Sequence, residues 1–397
     1  MATLAKAASA AELLDGIKVI DVDTHLSEPH DLWTSRAPAK LKNLVPRVVT
    51  IEGRRTWIIG EDTLLSGLGA TPVSVIHKDG SKSRSLDWFD FEIEQVHPGA
   101  YALQERLKVM DEMGIHAQIL FPNVLGFGGQ NGWNAPENLR IAAIQIYNDA
   151  VAEYQSNSNN RIFPMALLPW WDVREAVKEA ERAKAMGLRG VIINSDPQVQ
   201  GLPDLAERHW DPMWEAFQSF ELPVNFHIGA SESTFAWFGS SPWPSGSAPV
   251  RFCIGSSLLF FSNAQIMANI IMSGILDRWP KLKFISVESG VNWVPGLLET
   301  LEYQIAENAD TLKYDLSPRE YFERNMFATF WYEKRNIAAS IRQAGVDNVM
   351  FETDFPHPTC LYPDPLEQAA PALAQLTVDE RRKVMSTNAA TLFNIPI

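Results

Sequence analysis

Cysteine is nearly absent from this 397-residue chain: Cys253 and Cys360 are the only two, and neither sits in a CxxC or other metal-type spacing. A disulfide framework is therefore excluded, and a reducing, cytoplasmic location is expected. Positive charge is also scarce. With 34 Lys and Arg against 48 Asp and Glu, the formal net charge is −14, which makes a nucleic-acid backbone or an anionic membrane surface a poor partner. A small-molecule substrate fits better. No clean apolar run of membrane length is present: residues 258–276 are interrupted by Asn263, Gln265 and Asn269 and predict a buried helix. The Ala-rich segment 1–14 has one lysine and no long apolar stretch, so it reads as a frayed arm or short helix rather than a signal peptide. Internal repeats and low-complexity tracts are missing too.

What the chain does have is alternation. From about residue 106 onward, short apolar runs at 117–121, 162–167, 190–194, 224–227, 284–287, 326–329 and 349–353 are separated by helical patterns at 135–155, 173–186, 257–279 and 333–344. That is the signature of repeated βα units over a parallel sheet. With 19–23 at the start there are eight strands, and the expected fold is an α/β (β/α)8 barrel forming one domain, 1–397. An open doubly wound sheet would place a Gly-rich phosphate turn after the first strand, where Asp23-Thr24-His25-Leu26-Ser27-Glu28 stands instead. One stretch, about 46–105, interrupts the alternation. It contains a predicted β-hairpin turning at Glu52-Gly53, and its position after the first strand makes it a candidate cap over the barrel mouth.

Barrel enzymes carry their chemistry at the C-terminal ends of strands. Here the first strand ends in Asp23-Thr24-His25, the fifth in His227, the sixth in Glu288 and the eighth in Asp354. Residues two apart on an extended segment face the same side, so Asp23 and His25 form a two-toothed claw. A single strand-end His or Asp is usually a hydrogen-bonded core residue or a helix cap. Four such groups at matching strand ends, Asp23, His25, His227 and Asp354, predict a shared divalent cation. The fourth strand, 190–194, carries no lysine, which disfavours a metal pair bridged by a carbamylated lysine; Glu28 and Glu288 are left as candidate ligands to a second ion.

The motifs Ile20-Asp21-Val22-Asp23-Thr24-His25-Leu26-Ser27-Glu28-Pro29, Asp31-Leu32-Trp33, Arg106 to Ile115, Glu352-Thr353-Asp354-Phe355-Pro356-His357-Pro358 and Asn388 to Phe393 span almost the whole chain. Through them it resembles the amidohydrolase-related family that includes aminocarboxymuconate-semialdehyde decarboxylase and resorcylate decarboxylase types. The resemblance implies a barrel with one catalytic ion, commonly zinc or manganese, held at Asp23, His25, His227 and Asp354. Two departures stand out. Those decarboxylases usually have His or Glu where Asp23 stands, and a catalytic histidine on the sixth strand where this chain has Glu288. A glutamate is a base or a ligand unless burial raises its pKa, so the usual proton donor for decarboxylation is missing, and His357 is the substitute candidate.

Three functions remain open at this stage. The first is hydrolysis, or nonoxidative decarboxylation, of a small organic acid, amide or ester, with Asp354, Glu288 and His357 as catalytic groups. The carboxylate-rich ligand set also suits a non-haem iron oxygenase with one or two ions. The third is a metal-binding partner subunit that packs on a catalytic homologue through aromatic loops such as 235–238, or a homo-oligomer using the same surfaces. Arg251 is a candidate carboxylate clamp, and Trp237, Trp293 and Trp331 are candidate pocket walls.

Overall fold

The computed structural model describes residues 8–397. Of the expected N-terminal arm, residues 1–7 lie outside the described range; Ser9 then caps a short helix, Ala10–Leu13. Twelve strands follow in chain order: β1 (Ile20–His25), β2 (Arg47–Ile51), β3 (Arg54–Ile59), β4 (Thr63–Leu64), β5 (Ala117–Phe121), β6 (Ile162–Pro164), β7 (Ala166–Leu167), β8 (Val191–Ile192), β9 (Val224–His227), β10 (Phe284–Val287), β11 (Met326–Phe330) and β12 (Val349–Phe351).

All but β2, β3 and β4 are parallel. They form one ladder of order β1-β5-β6 and a second of order β12-β11-β10-β9-β8-β7. β6 and β7 are one strand split at Met165, whose N–H donates to the Leu120 carbonyl on one side while the Ala166 N–H donates to Gly190 on the other. At the opposite edges, the His25 N–H donates to the Phe355 carbonyl and the Asp354 N–H to Asp23. The two ladders thus meet on both sides. Strands covered on both faces read as continuous apolar runs. β5, β9 and β10 are accordingly buried along their whole length.

Helices connect the strands, as α/β alternation requires. In Val173–Ala185, Asp172 accepts the N–H groups of Arg174 and Glu175 as N-cap, and Ala176, Glu179, Ala180 and Ala183 make a buried stripe. The single helix expected at 257–279 is instead three: Ala248–Phe260, Ser262–Met272 and Ile275–Arg278. Gly274, at φ 74°, separates the last two, a left-handed conformation that ends a helix. Among the described residues one helical stretch, Ala248–Met272, is long and apolar enough to cross a membrane by length and composition, and 44% of its most apolar 18-residue window is buried. Its inward side packs Ile266, Met267, Ile270 and Ile271 into the core, while Val250, Ile254, Leu258 and Phe261 face outward.

The segment after β1 forms a separate antiparallel sheet of order β2-β3-β4. Glu52 and Gly53, both at positive φ, turn the chain so that Ile51 pairs with Arg54 and Arg47 with Ile58. Two positive-φ residues match the right-handed twist of the flanking strands. Trp57 on β3 and Leu65 just after β4 are buried against the rest of the molecule.

Candidate metal centre

Six ionisable side chains converge where β1, β9, β10 and β12 end. Asp23, His25, His227 and Glu288 bring their ligand atoms within 4.8 Å of one another, and so do His25, Glu288, Asp354 and His357. The Nε2 atoms of His25 and His227 stand 3.1 Å apart. Asp23 Oδ1 lies 3.4 Å from the first and 3.5 Å from the second. Glu288 Oε2 is 3.4 Å from His227 Nε2, and Asp354 Oδ1 is 3.7 Å from His25 Nε2 and 3.2 Å from His357 Nδ1. The His357 ring stacks on that of His25 at 3.6 Å.

The other nitrogen of each histidine sets the tautomer. His227 Nδ1 lies 2.8 Å from the Ile228 carbonyl and His25 Nδ1 3.4 Å from Pro122, so each Nδ1–H has an acceptor and each Nε2 turns a lone pair inward. Both oxygens of Asp23, Oδ1 of Asp354 and Oε1 of Glu352 are buried without a hydrogen-bond partner. Unpaired buried acceptors facing one another cost several kcal/mol. A divalent cation answers the deficits of Asp23 and Asp354, which lie in the two groups of converging ligand atoms, so the donor set fits the group that the sequence implies.

Burial, followed by the charges of Asp354, Asp23 and Glu352, pushes the Glu288 carboxyl well above its ordinary range. Glu352 is raised in the same direction, by burial and then by Asp23. Burial and then the neighbouring His357 and His227 hold His25 well below the usual imidazole value. A cation among these groups reverses that logic by favouring charged carboxylates and neutral imidazoles.

The local backbone is shaped for this purpose. Glu288 and Asp354 both take left-handed conformations, φ 54° and 59°. For a residue with a side chain this costs on the order of 1–3 kcal/mol and is tolerated where the surroundings enforce it. The enforcement is visible. Asn263 Nδ2 donates to the Phe226 and Val287 carbonyls and to Ser286 Oγ, tying the ends of β9 and β10 together. Glu333 Oε1 accepts the N–H groups of Val291 and Asn292 just beyond Glu288. Asp21 accepts the Thr353 N–H at 2.8 Å, its hydroxyl at 2.6 Å and Gln118 Nε2 at 3.0 Å, locking β1 to the segment that carries Asp354. Arg106, fully buried, donates to the carbonyls of His25, Gly99 and Ala100. The Thr359 hydroxyl stands between Glu288 and Asp354.

Glu333 supplies a pH prediction. Burial raises its carboxyl from 4.5 to about 7. A group whose folded pKa exceeds its unfolded pKa binds protons more tightly in the native state, so its contribution to stability falls as pH rises from about 4.5 to about 7. The Glu333→Gln protein keeps an acceptor oxygen for Val291 and Asn292 and is expected to show a flatter melting temperature across that window. Thermal melts at half-unit pH steps check it; a slope equal to wild type would contradict the assignment.

A cavity of about 300 Å3 opens beside Glu288, His357 and Thr359. Its walls come from the segment after β1 (Trp57, Leu64, Leu65), from Phe127, and from Phe235, Phe238, Phe252 and Phe260. The four substrate contacts expected from sequence lie elsewhere. Arg251 sits on helix Ala248–Phe260 and is not among the lining residues. Trp237 is 41% exposed, Trp293 donates its indole N–H to the Ser289 carbonyl, and Trp331 is buried against Phe260 and Tyr332. Strand-end position does not fix where a loop side chain turns, and in this chain phenylalanines form the wall. Glu28 also stays outside the cluster: its Oε1 accepts the N–H groups of Asn123 and Val124, pinning the loop after β5. Asp23, His25, His227, Glu288, Asp354 and His357 do meet. Glu352, whose Oε2 accepts the Glu288 N–H, and Thr359, which donates to Glu288 and Asp354, support them and were missed, one read as part of the last apolar run and the other of a type with no metal signature.

Similar solved structures include an amidohydrolase from Mycobacterium avium subsp. paratuberculosis, 24% identical, covering 95% of this chain and 99% of that one with a TM-score of 0.75. The 5-carboxyvanillate decarboxylase of Sphingomonas paucimobilis is 20% identical over 96% and 100% of the two chains, TM-score 0.63. A dihydroxybenzoic acid decarboxylase of a Polaromonas species, solved with bound manganese and an inhibitor, is 19% identical over 95% and 97%, TM-score 0.61. At these identities the likeness is one of fold, and none of the three is an oxygenase by name. The profile of the amidohydrolase family, by contrast, matches residues 20–395 of the sequence itself. The chain belongs to the amidohydrolase family.

Proposed function

We propose that this protein is a single-domain, metal-dependent hydrolase built on a closed (β/α)8 barrel, with residues 46–105 capping the mouth. Asp23, His25, His227 and Asp354 would hold one divalent ion, with Glu288 at its edge. Such an ion supplies Lewis acidity and makes water nucleophilic at neutral pH. The observation that carries the hydrolytic reading is Glu288, a buried carboxylate lining the cavity where the family resemblance implies a histidine.

In this reading Glu288 accepts a proton from the attacking water at a carboxylate oxygen and returns it to the leaving group. The Thr359 hydroxyl, 3.3 Å from Glu288 Oε1, orients that carboxylate. His357, with Nε2 2.9 Å from Asn123 Oδ1 and Nδ1 facing Asp354, holds the opposite wall of the site. The aromatic lining excludes bulk water, which strengthens each polar contact inside. Decarboxylation is the second reading, favoured by the decarboxylases among the similar structures and by His357 as a proton donor.

Turnover in 18O-labelled water tests the choice. With a panel of esters, lactones and amides, hydrolysis is expected to place one 18O in the acid product. Release of CO2 from an aromatic acid panel, with no labelled acid from the first, would overturn it.

A further inference from the structure

Between Glu232 and Asp277 the chain carries a single charged residue, Arg251, whereas 21% of the whole sequence is charged. That segment includes the helix Ala248–Phe260, which presents apolar side chains on both its inner and its outer side. On the inner side Phe252, Leu259 and Phe260 wall the cavity beside the metal centre. The outer side exposes Val250, Ile254 and Leu258 at four-residue spacing, and Phe261 continues the stripe. A helix apolar on opposite sides is ordinarily covered on both. Within the chain this one is not: of its residues only Gly255 and Leu259 are buried.

The loop before the helix widens the exposed face. A Cβ on Gly255 would strike the backbone of Trp237 and Ser240, and Gly246, bonded to the Trp243 carbonyl, lies against Val250. Trp237 and Trp243 therefore flank the helix. Together with Val250, Ile254, Leu258 and Phe261 they are six of the thirteen large hydrophobic side chains exposed among the described residues, each between 38% and 77% exposed. At roughly 150–250 Å2 for an aromatic side chain, and less for an aliphatic one, they leave on the order of 700 Å2 uncovered. A stable interface of standard size takes about 800 Å2 from each partner.

Charge decides what covers this face. A helix that lies on a membrane carries lysines and arginines beside its apolar side, and this segment offers Arg251 alone. Its continuation, Ser262–Met272, is committed to the core through Ile266, Met267, Ile270 and Ile271. A different protein is ordinarily selected through complementary charge, which a segment with one charged residue does not supply. Two copies of a chain of net charge −14 repel one another except where carboxylates are absent, and a two-fold axis lays one apolar patch on its own duplicate with no need of opposite charges.

We infer that this face is an isologous interface between two copies of the chain, with the outer side of Ala248–Phe260 packed on its counterpart and Trp237 and Trp243 flanking it. The second copy then buttresses the helix whose inner side walls the cavity, whichever bond the site cleaves.

Sedimentation equilibrium of the metal-loaded full chain is expected to give the mass of two chains, or an even multiple of it, at micromolar concentration. The double variant Ile254→Glu, Leu258→Glu sets like charges against one another across the axis and is expected to halve that mass. Val199→Glu, at an exposed apolar residue outside the patch, is expected to leave it unchanged. A wild-type protein of single-chain mass, a double variant of wild-type mass, or wild-type protein that instead sediments with vesicles of phosphatidylcholine and phosphatidylserine would overturn the assignment. A second reading needs no change to the interface. Cys253 is exposed on the same outer side, whereas Cys360 is buried. In the assembled protein a maleimide is expected to label Cys253 at least about tenfold more slowly than a cysteine placed at Val199, since a covered thiol is inert. Equal rates in a protein of two-chain mass would put the contact on another face.

Discussion

Replacing His227 with alanine is expected to strip the protein of its metal and reduce turnover to background. His227 ends β9 with its Nδ1–H committed to the Ile228 carbonyl, so its Nε2 lone pair has nowhere to point but at His25, Asp23 and Glu288. Removing it leaves carboxylates whose mutual repulsion only a cation relieves, with one fewer atom to hold that cation. The loss in metal affinity should exceed the roughly 10–100-fold that an outer-shell partner contributes. Metal content by mass spectrometry and activity under added manganese or zinc check both halves. An alanine protein with full metal content and normal rates would remove His227 from the site.

Glu288→Gln should behave differently, keeping much of the metal while slowing turnover by roughly 10^2–10^4-fold, the usual worth of a general acid–base group. The amide has the same shape, can still meet Thr359, and adopts the same left-handed backbone that Glu288 occupies. What it cannot do is accept a proton. If Glu288 served only as a hydrogen-bond acceptor, the loss would be mild and would appear chiefly in thermal stability. Loss of metal from this variant would instead move Glu288 into the ligand set.

Much of this site was legible in the chain because strand ends are legible. β9, β10 and β5 fall where their apolar runs do, and His227 and Glu288, closing the first two, mark the mouth. Asp23, His25, His227, Glu288 and Asp354 could be picked out of the sequence because a charge at the end of a buried strand needs a reason. Glu352 escaped notice because it sits inside what reads as one run, Val349 to Thr353; the strand in fact ends at Phe351. Glu28 looked like a ligand by proximity to His25, but the chain turns after β1 and uses its carboxylate to cap the loop at Asn123. The supporting groups, Asp21, Arg106, Asn263 and Glu333, act across 37 to 332 residues of sequence, through hydrogen bonds that no local pattern announces.

The pocket walls were the least legible part. Periodicity says that Phe235, Phe238, Phe252 and Phe260 are apolar, but their inward aim is set by tertiary packing, Phe252 meeting Phe89 and Phe238, and Phe235 stacking on Phe238. The tryptophans chosen for aromatic size instead do structural work or lie at the surface, as Trp331 and Trp237 do. Side chains in loops follow tertiary packing rather than spacing, and tertiary packing placed them elsewhere.

The central claim, that the converging carboxylates and imidazoles at the ends of β1, β9, β10 and β12 are a metal centre, is tested most directly by the metal content of the untreated protein. One divalent ion per chain is expected after purification without added metal, removable by a chelator together with activity and restored by manganese or zinc. Chains that carry no ion, bind none on titration, and melt at the same temperature with and without chelator would contradict it.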